Sequence, residues 1–347
     1  MKWNERENRR IMPWKGEKDL YKIWLSEIIL QQTRVEQGLD YYKRFINAFP
    51  DIKKLAAAPE QKVFKLWEGL GYYTRCKNLI ATAKFIAKDC SGKFPETYSE
   101  ILMLKGVGPY TAAAIASFAF GLPYAVVDGN VFRVLSRFFG IDTATDSTIG
   151  KKIFTELAGE LIDKNQPGTY NQAIMDFGAV ICKPKNPSCD ICPFKKKCIA
   201  RLQNKIDLLP VKAGKLVKRT RYFYYLIIEY KRQVYVKKRT AGDIWENLNE
   251  FVLLETKKLI ATEKLTETES FQKIFSRNKV EIIDVSKLYK QQLTHQTIQG
   301  RFIQLSVKNA ISLNAYRAVT YKELRMLPFP KFITGYLAEN VLRGFDR

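Results

Sequence analysis

Two carboxylates in the first 130 residues have settings that suit acid–base chemistry. Glu27 shares an i, i+4, i+7 spacing with Ile23 and Leu30, and the apolar periodicity of residues 19–31 predicts an amphipathic helix. A glutamate on that face is either turned toward solvent or held in an apolar site. In an apolar site its pKa rises, and it becomes a competent general acid near neutral pH.

Asp128 has the opposite setting. It follows the apolar run 125–127 and precedes a helix predicted to begin near Val131, so N–H donors and the helix dipole favour its charged form. One carboxyl kept protonated and another kept ionised is the pair that suits glycosidic bond cleavage through an oxocarbenium-like state. Taken alone, Asp128 is better explained as a simple helix N-cap.

A glycine hairpin lies upstream of Asp128, in the sequence Leu-Lys-Gly-Val-Gly of residues 104–108. Gly106 and Gly108 let backbone N–H groups approach an anion without interference from a Cβ atom. Pro109 suits the first turn of a following helix, whose N-terminus also favours negative charge. The hairpin therefore predicts a contact with a DNA phosphate, although a tight corner between two helices would show the same residues.

Four of the six cysteines are clustered in a C-x6-C-x2-C-x5-C pattern, which predicts a metal loop in a reducing compartment. Four thiolates could hold zinc or an iron–sulfur cluster, and the single C-x2-C pair favours iron–sulfur over a zinc ribbon. The four are Cys182, Cys189, Cys192 and Cys198. The lysines in the loop predict a basic surface against a DNA backbone.

The composition indicates a polyanionic partner. The 347 residues carry a formal net charge of +23 and a pI near 9.6, which favours nucleic acid, although RNA or an anionic membrane would also attract such a protein. The longest apolar stretch, residues 112–127, is interrupted by Gly121 and Pro123, so no membrane segment is expected. The N-terminus lacks an apolar signal core, which predicts a cytoplasmic, nucleoid-associated protein of a prokaryote.

The chain divides by pattern into a helical part, residues 1–200, a basic linker at 201–220, and a strand-rich part at 221–347. Lys231-Arg232 is predicted to turn a hairpin. The other elements expected in the last part are a helix at 261–277, strands at 280–285 and 299–307, and short helices at 321–326 and 331–342.

Several long motifs occur together: WLSEIILQQTRV (24–35), WEGLGYYTRCKNL (67–79), the hairpin with Asp128, and the cysteine loop at 182–198. In that order they resemble the A/G-specific adenine DNA glycosylases (MutY type) of the endonuclease III, or helix-hairpin-helix, superfamily. The resemblance implies a mostly α N-terminal glycosylase domain with a 4Fe-4S cluster on its loop. It also implies an α+β, Nudix-like C-terminal domain, for which WENLNEFVLLE (245–255) is a match. Because residues 221–347 lack the glutamate-rich R-E-x-x-E-E string of Nudix hydrolases, this half is expected to recognise a lesion.

The resemblance also assigns roles to residues. Glu27 would protonate the departing adenine and then assist water, Asp128 would stabilise the oxocarbenium ion, and Tyr110 and Asn130 would position them. Bifunctional relatives carry a nucleophilic lysine where this chain has Tyr110, so a monofunctional enzyme is implied. The implied adenine-pocket residues are Trp14, Lys15 and Gln172; the implied DNA and lesion contacts are Gln32, Thr33, Leu70, Tyr72, Gly106, Gly108, Thr294 and His295.

The implied partner is double-stranded DNA that contains an 8-oxoguanine:adenine or guanine:adenine mispair, from which the adenine is flipped out of the helix. The enzyme is expected to act as a monomer. Two alternatives remain open at this point. One is a bifunctional, endonuclease III-like glycosylase and AP lyase; the other is a relative that binds DNA but has lost catalysis.

Overall fold

The structure, a computed structural model, describes residues 1–12, 14–214, 218–275 and 278–340. The chain forms two compact units: Met1–Ala57 with Lys77–Lys215, and Ala58–Cys76 with Leu216–Arg347. No feature of the sequence signalled that residues 58–76 join the second unit. The sequence-based domain boundaries at 200 and 220 stay a prediction.

The first unit is helical. Its elements, with the long helix that enters it, are α1 (Lys2–Arg6), α2 (Leu20–Leu30), α3 (Val35–Ala48), α4 (Ile52–Ala57), α6 (Thr74–Lys88), α7 (Tyr98–Leu102), α8 (Pro109–Phe120), α9 (Gly129–Phe139), α10 (Thr148–Leu161), α11 (Pro167–Val180) and α12 (Ile199–Leu202). Helix α2 packs on α8, and α11 packs on both α8 and α9. These four helices surround the cavity described below.

The helix ends follow the sequence signals. The predicted helix at 19–31 is present as α2, and the Asp19 carboxylate caps it by accepting from the amides of Tyr21 and Lys22. Pro109 occupies the first turn of α8, as the hairpin predicted. Helix α9 begins at Gly129, two residues before the expected Val131, because Asp128 is its N-cap.

The second unit is built on a mixed sheet. Its elements are α5 (Glu60–Trp67), β1 (Arg219–Tyr230), β2 (Gln233–Lys238), β3 (Asn249–Glu250), β4 (Val252–Thr256), α13 (Thr262–Thr266), α14 (Glu269–Phe275), β5 (Val280–Val285), β6 (Tyr289–Gln292), β7 (Gln296–Val307), β8 (Arg317–Thr320), α15 (Tyr321–Met326) and α16 (Lys331–Glu339). The sheet order is β3-β2-β1-β7-β5, with β4 also on β1, β6 on β7 and β8 on β2. Strands β1 and β7 are parallel and the other pairs are antiparallel. The predicted α+β content is therefore confirmed.

The turn between β1 and β2 is the predicted two-residue hairpin. Lys231 and Arg232 both have positive φ, 48° and 61°, and Tyr230 pairs with Gln233. The single helix expected at 261–277 is instead two short helices, α13 and α14, separated at Thr268, whose hydroxyl accepts from the Phe271 amide. The last predicted helix ends at Glu339 as α16, and its expected residues 341–342 lie outside the described residues.

Helix α5 belongs to the second unit through hydrogen bonds to the chain after α15. Lys65 Nζ donates to the Leu327 carbonyl at 3.0 Å, and the Phe329 amide donates to the Glu68 carboxylate at 2.8 Å. Across the described ranges, no helix combines the length and the apolar character needed to cross a bilayer.

Candidate active site

A cavity of about 760 Å³ opens in the helical unit among α2, α8, α9 and α11. It is lined by Glu27, Tyr110, Asp128 and Asn130, the four residues predicted to carry the chemistry. Trp14, Lys15, Gln172 and Thr33 also line it. Glu27 lies on α2 and Asp128 at the start of α9, about a hundred residues apart in the chain. The packing of α2 on α8, and of α8 and α9 on α11, brings them to one space.

Helix α2 holds Glu27 on its apolar face. Ile23 and Leu30, one turn to either side, line the same cavity, and Glu27 is only 7% exposed. Of the two settings considered for this residue, the apolar one is therefore observed. Burial raises the pKa of Glu27 to about 7, with a smaller raising effect from the Asp128 charge and an opposing one from the hydrogen bond with Tyr110.

Tyr110 lies in the first turn of α8, directly after the hairpin and Pro109. Its hydroxyl shares a hydrogen bond with Glu27 and lies 3.8 Å from the Met175 sulfur. Burial, followed by the charges of Glu27 and Asp128, holds the pKa of the phenol well above its usual range. The phenol therefore stays protonated and can donate to the Glu27 carboxyl.

Asp128 is the N-cap of α9. Its Oδ1 accepts from the amides of Asn130 and Val131, each at 2.8 Å, and its Oδ2 accepts from Asn130 Nδ2 at 2.7 Å. Burial raises the pKa of Asp128, while these donors and the Arg133 charge lower it. The helix N-terminus thus acts as the sequence predicted, but the cost of burial outweighs it.

Asn130 connects Asp128 to a buried arginine, Arg133, that no sequence motif predicts. Arg133 Nη2 donates to Asn130 Oδ1 at 2.8 Å and to the Gly178 carbonyl at 2.7 Å, and Arg133 Nε donates to the Cys182 carbonyl at 2.7 Å. Gly178 is needed here, because a Cβ atom would lie 2.6 Å from the Cβ of Asn130. The close approach of α11 to α9 therefore fixes Asn130.

The residues expected at the adenine pocket form one wall of the cavity. Trp14 packs edge-on against Tyr42, with ring centroids 5.5 Å apart. Lys15 Nζ lies 3.2 Å from Asp176 Oδ2, and Gln172 Nε2 lies 3.0 Å from Asp176 Oδ1. Asp176 was not singled out from the sequence, although its i+4 spacing from Gln172 on a helix was a usable signal.

The glycine hairpin has the backbone that the sequence requires. Gly106 has φ +81°, and a Cβ atom there would lie 2.8 Å from the Cβ of Asn78. Gly108 is extended and is the N-cap of α8, with open space beside it. Gln31 Nε2 donates to the Gly106 carbonyl at 3.1 Å, which ties the end of α2 to the hairpin.

Gln32 and Thr33 follow the end of α2. Gln32 is exposed, with φ +54°, and Thr33 lines the cavity. This left-handed backbone at a non-glycine residue turns the chain sharply after Leu30, at the cavity rim.

The four clustered cysteines lie around one small cavity, and no disulfide joins any cysteine of the described chain. Within the described ranges, no group of three His, Cys, Asp or Glu side chains is placed to hold a single metal ion. Burial raises the pKa of Cys192, as do the charges of Cys182, Cys189 and Cys198. A cationic centre among the four sulfur atoms would offset this cost.

Arg137 is a second buried arginine and faces the cysteines. It is 2% exposed, and Nη1 lies 3.6 Å from Cys182 Sγ and 2.7 Å from the Lys183 carbonyl. No Asp or Glu of the described chain pairs with it. A buried cation is costly without an anion nearby, so this guanidinium fits a negatively charged group held by the thiolates.

The comparisons with known proteins agree with this geometry. Residues 25–158 match the HhH-GPD superfamily of base excision DNA repair proteins. The adenine DNA glycosylase of Buchnera aphidicola subsp. Schizaphis graminum is 36% identical over 297 residues, spanning 82% of this chain and 85% of that protein. The adenine DNA glycosylase of Homo sapiens is 40% identical over 210 residues, spanning 58% of this chain and 38% of that protein.

The chain belongs to the adenine DNA glycosylase family. Membership makes it an enzyme of base excision DNA repair. A solved structure of a thermostable thymine-DNA glycosylase is 32% identical, with a TM-score of 0.54, and covers 58% of this chain and 92% of that one. The helical fold of this adenine DNA glycosylase family member is therefore similar to that of a thymine-DNA glycosylase.

In the second unit of this glycosylase, Tyr72 and Thr294 meet. Their hydroxyls lie 3.0 Å apart, Tyr72 is 46% exposed with φ +47°, and Thr294 lies at the exposed tip of the loop between β6 and β7. His295 is exposed on the same tip. Leu70 is only 4% exposed, so its side chain is not available to contact DNA, and only its main-chain atoms could do so.

Proposed function

We propose that this protein removes adenine by hydrolysis from 8-oxoguanine:adenine and guanine:adenine mispairs in duplex DNA and leaves the strand uncut. One observation carries the proposal: Glu27 and Asp128 line a single cavity, and burial raises the pKa of Glu27 to about 7. The cavity of about 760 Å³ is large enough for a flipped nucleotide, within the range of small-molecule sites.

The chemistry begins with the flipped adenine beside Glu27. The protonated Glu27 carboxyl gives its proton to a ring nitrogen of the base, and the electrons of the N-glycosidic bond leave with adenine. Positive charge then develops at the sugar, where the Asp128 carboxylate stabilises it or bonds to it transiently. Water attacks the sugar carbon, and its proton returns to Glu27, now a carboxylate and able to act as a base.

The neighbouring residues keep these groups in place. Tyr110 donates to Glu27 and holds its carboxyl toward the cavity, while Asn130 holds one oxygen of Asp128. Trp14, Lys15 and Gln172 form the wall that would receive the base. The exposed Gln32 and the half-buried Thr33 would meet the opposing strand, and the amides of the Gly106–Gly108 hairpin would hold a phosphate.

A lyase route is not favoured. Position 110 carries a tyrosine, which cannot form a Schiff base. Lys15 does line the cavity, but its ammonium is engaged by the buried Asp176 carboxylate. The supported product is therefore an abasic site in an intact strand.

For the cofactor, we propose a 4Fe-4S cluster held by Cys182, Cys189, Cys192 and Cys198. The four thiols line one small cavity, which supports a group held among them. When bound, the cluster would supply structural stiffness to the basic loop at 182–198. The buried Arg137 guanidinium would face its negative charge.

For the second unit, we propose a Nudix-like domain that recognises the lesion. Tyr72 would wedge into the duplex beside 8-oxoguanine, and the hydroxyl of Thr294 and the imidazole of His295 would hydrogen-bond the oxidised base or its phosphate. The 3.0 Å contact between Tyr72 and Thr294 supports a common site for the wedge and the loop.

A single-turnover assay tests the proposal. The purified protein is mixed with duplexes containing 8-oxoguanine:adenine, guanine:adenine or 8-oxoguanine:cytosine, and alkali then reveals abasic sites. We expect free adenine and alkali-dependent cleavage for the first two duplexes, and no covalent trapping by borohydride. Binding without adenine release would indicate an inactive relative, and trapping by borohydride would indicate a lyase.

A further inference from the structure

Asp176, on α11, is a fully buried carboxylate that accepts hydrogen bonds from four different side chains. Its side chain has 0% exposure. It accepts from Arg10 Nη1 at 2.8 Å, Lys15 Nζ at 3.2 Å, Asn8 Nδ2 at 2.8 Å and Gln172 Nε2 at 3.0 Å. Donors from the N-terminal segment and from its own helix thus converge on one anion.

The carboxylate itself is not among the residues that line the cavity, but three of its partners are. Arg10, Lys15 and Gln172 all face the cavity. Any influence of Asp176 on a bound base must therefore pass through these side chains. That makes it a candidate positioning residue.

The contact with Gln172 decides which end of the amide faces the base. An ionised carboxylate accepts hydrogen bonds and donates none, so Gln172 must turn its NH2 group toward Asp176. Its carbonyl oxygen is left pointing away, and in the described part of the chain that oxygen has no hydrogen-bond partner. The cavity wall at Gln172 therefore presents an acceptor.

An acceptor at this wall matches one class of base. Adenine carries an exocyclic amino group that donates, whereas guanine and hypoxanthine carry a carbonyl oxygen at the same ring position. In guanine or hypoxanthine, that carbonyl oxygen would face the carbonyl oxygen of Gln172, and neither could donate a hydrogen bond. A buried polar group left unpaired in this way is costly, so the site would discriminate against these bases.

We propose that Asp176 is a positioning residue for base selection: it fixes the amide of Gln172 so that the carbonyl oxygen accepts from the exocyclic amino group of adenine. The proposal rests on the proposed function of the cavity. Beyond that function, it identifies the Gln172 carbonyl oxygen as the group that distinguishes adenine from purines without an exocyclic amino group.

The test compares single-turnover release of adenine with release of unsubstituted purine, which lacks the amino group, opposite 8-oxoguanine. The adenine-to-purine rate ratio of each variant is divided by that of the wild type, so the intrinsic difference between the leaving bases cancels. We expect Gln172→Leu to lower the ratio roughly fivefold, as for one lost hydrogen bond, and Asp176→Asn to lower it roughly two- to fivefold. In the double variant, Asp176→Asn should add nothing to the effect of Gln172→Leu.

Asp176→Asn is expected to fold, because Arg10 and Lys15 are 27% and 30% exposed and can turn to solvent. If it does not, Asp176→Glu keeps the charge, displaces the oxygens by one methylene and should lower the same ratio. An unchanged ratio in Gln172→Leu or in the folded Asp176 variant would overturn the proposal, as would full additivity in the double variant. A wild-type protein that releases neither base would overturn the proposed function itself.

Discussion

The Tyr110 hydroxyl and the Glu27 carboxyl share a buried hydrogen bond, on the wall of a cavity that Asp128 also lines. The bond has a defined electrostatic consequence, because it lowers the pKa of Glu27 while burial raises that pKa to about 7. The pKa of Glu27 therefore depends on two opposing effects, burial and the Tyr110 hydrogen bond, and mutation of Tyr110 removes only the second.

Glu27→Gln should abolish the proton donor while keeping the shape of the side chain. We expect adenine release to fall by roughly 10²- to 10⁴-fold, the usual contribution of a general acid. Binding to a mispaired duplex, measured by fluorescence anisotropy, should stay within about twofold. Release at the wild-type rate would exclude Glu27 as the acid.

Asp128→Asn should remove the negative charge but keep the helix cap. Because asparagine caps about as well as aspartate, the free energy of unfolding should change by less than about 1 kcal/mol. Adenine release should fall by at least roughly 10²-fold, since the positive charge on the sugar loses its counter-charge. A large loss of stability with little loss of rate would assign Asp128 to capping alone.

The pH profile of the single-turnover rate should report Glu27. The acid acts when protonated, so the rate should be level just below a pH of about 7 and fall tenfold per pH unit above it. In more acidic solution the rate should fall again, because Asp128, whose pKa burial raises, loses its negative charge there. Tyr110→Phe removes the bond that lowers this pKa, and one neutral hydrogen bond corresponds to roughly 0.5–1 pH unit, so the falling limb should move to higher pH. Tyr124→Phe, on an exposed ring of the same unit, is the matched control; equal shifts in both variants would refute the assignment.

Lesion preference should depend on the pair of hydroxyls in the second unit. Thr294→Val should lower the rate ratio of 8-oxoguanine:adenine to guanine:adenine by roughly 2- to 10-fold, the value of one neutral hydrogen bond. Tyr72→Phe should give a similar loss, and the double variant should lose less than the product of the two. Release of adenine at equal rates from both duplexes by the wild type would exclude the proposed roles of Thr294 and His295.

The iron–sulfur proposal predicts a brown protein with a broad visible absorbance band and about four irons per chain. Cys192→Ser should lose the band and lower the thermal unfolding temperature. Cys90→Ser, a half-buried cysteine outside the loop, is the control and should leave both unchanged. A colourless protein containing zinc would contradict the cluster.

Parts of the site were predictable because their signals are local. A capping aspartate, a proline in the first helical turn and a glycine with positive φ act within a few residues, and Asp19, Pro109 and Gly106 are where these rules place them. The two buried arginines were not predictable. Arg133 and Arg137 donate mainly to main-chain carbonyls, which leave no pattern in the sequence.

The sequence by itself determined which groups are available: two carboxylates, a tyrosine in place of a lysine, four clustered thiols and a chain rich in positive charge. Tertiary structure alone decided the state of those groups. Burial depends on neighbours distant in sequence, and it raises the pKa of Glu27 to about 7 and outweighs the N–H donors at Asp128. It also placed Asp176 behind Lys15 and Gln172, because only packing of the N-terminal segment on α11 brings those side chains to one carboxylate.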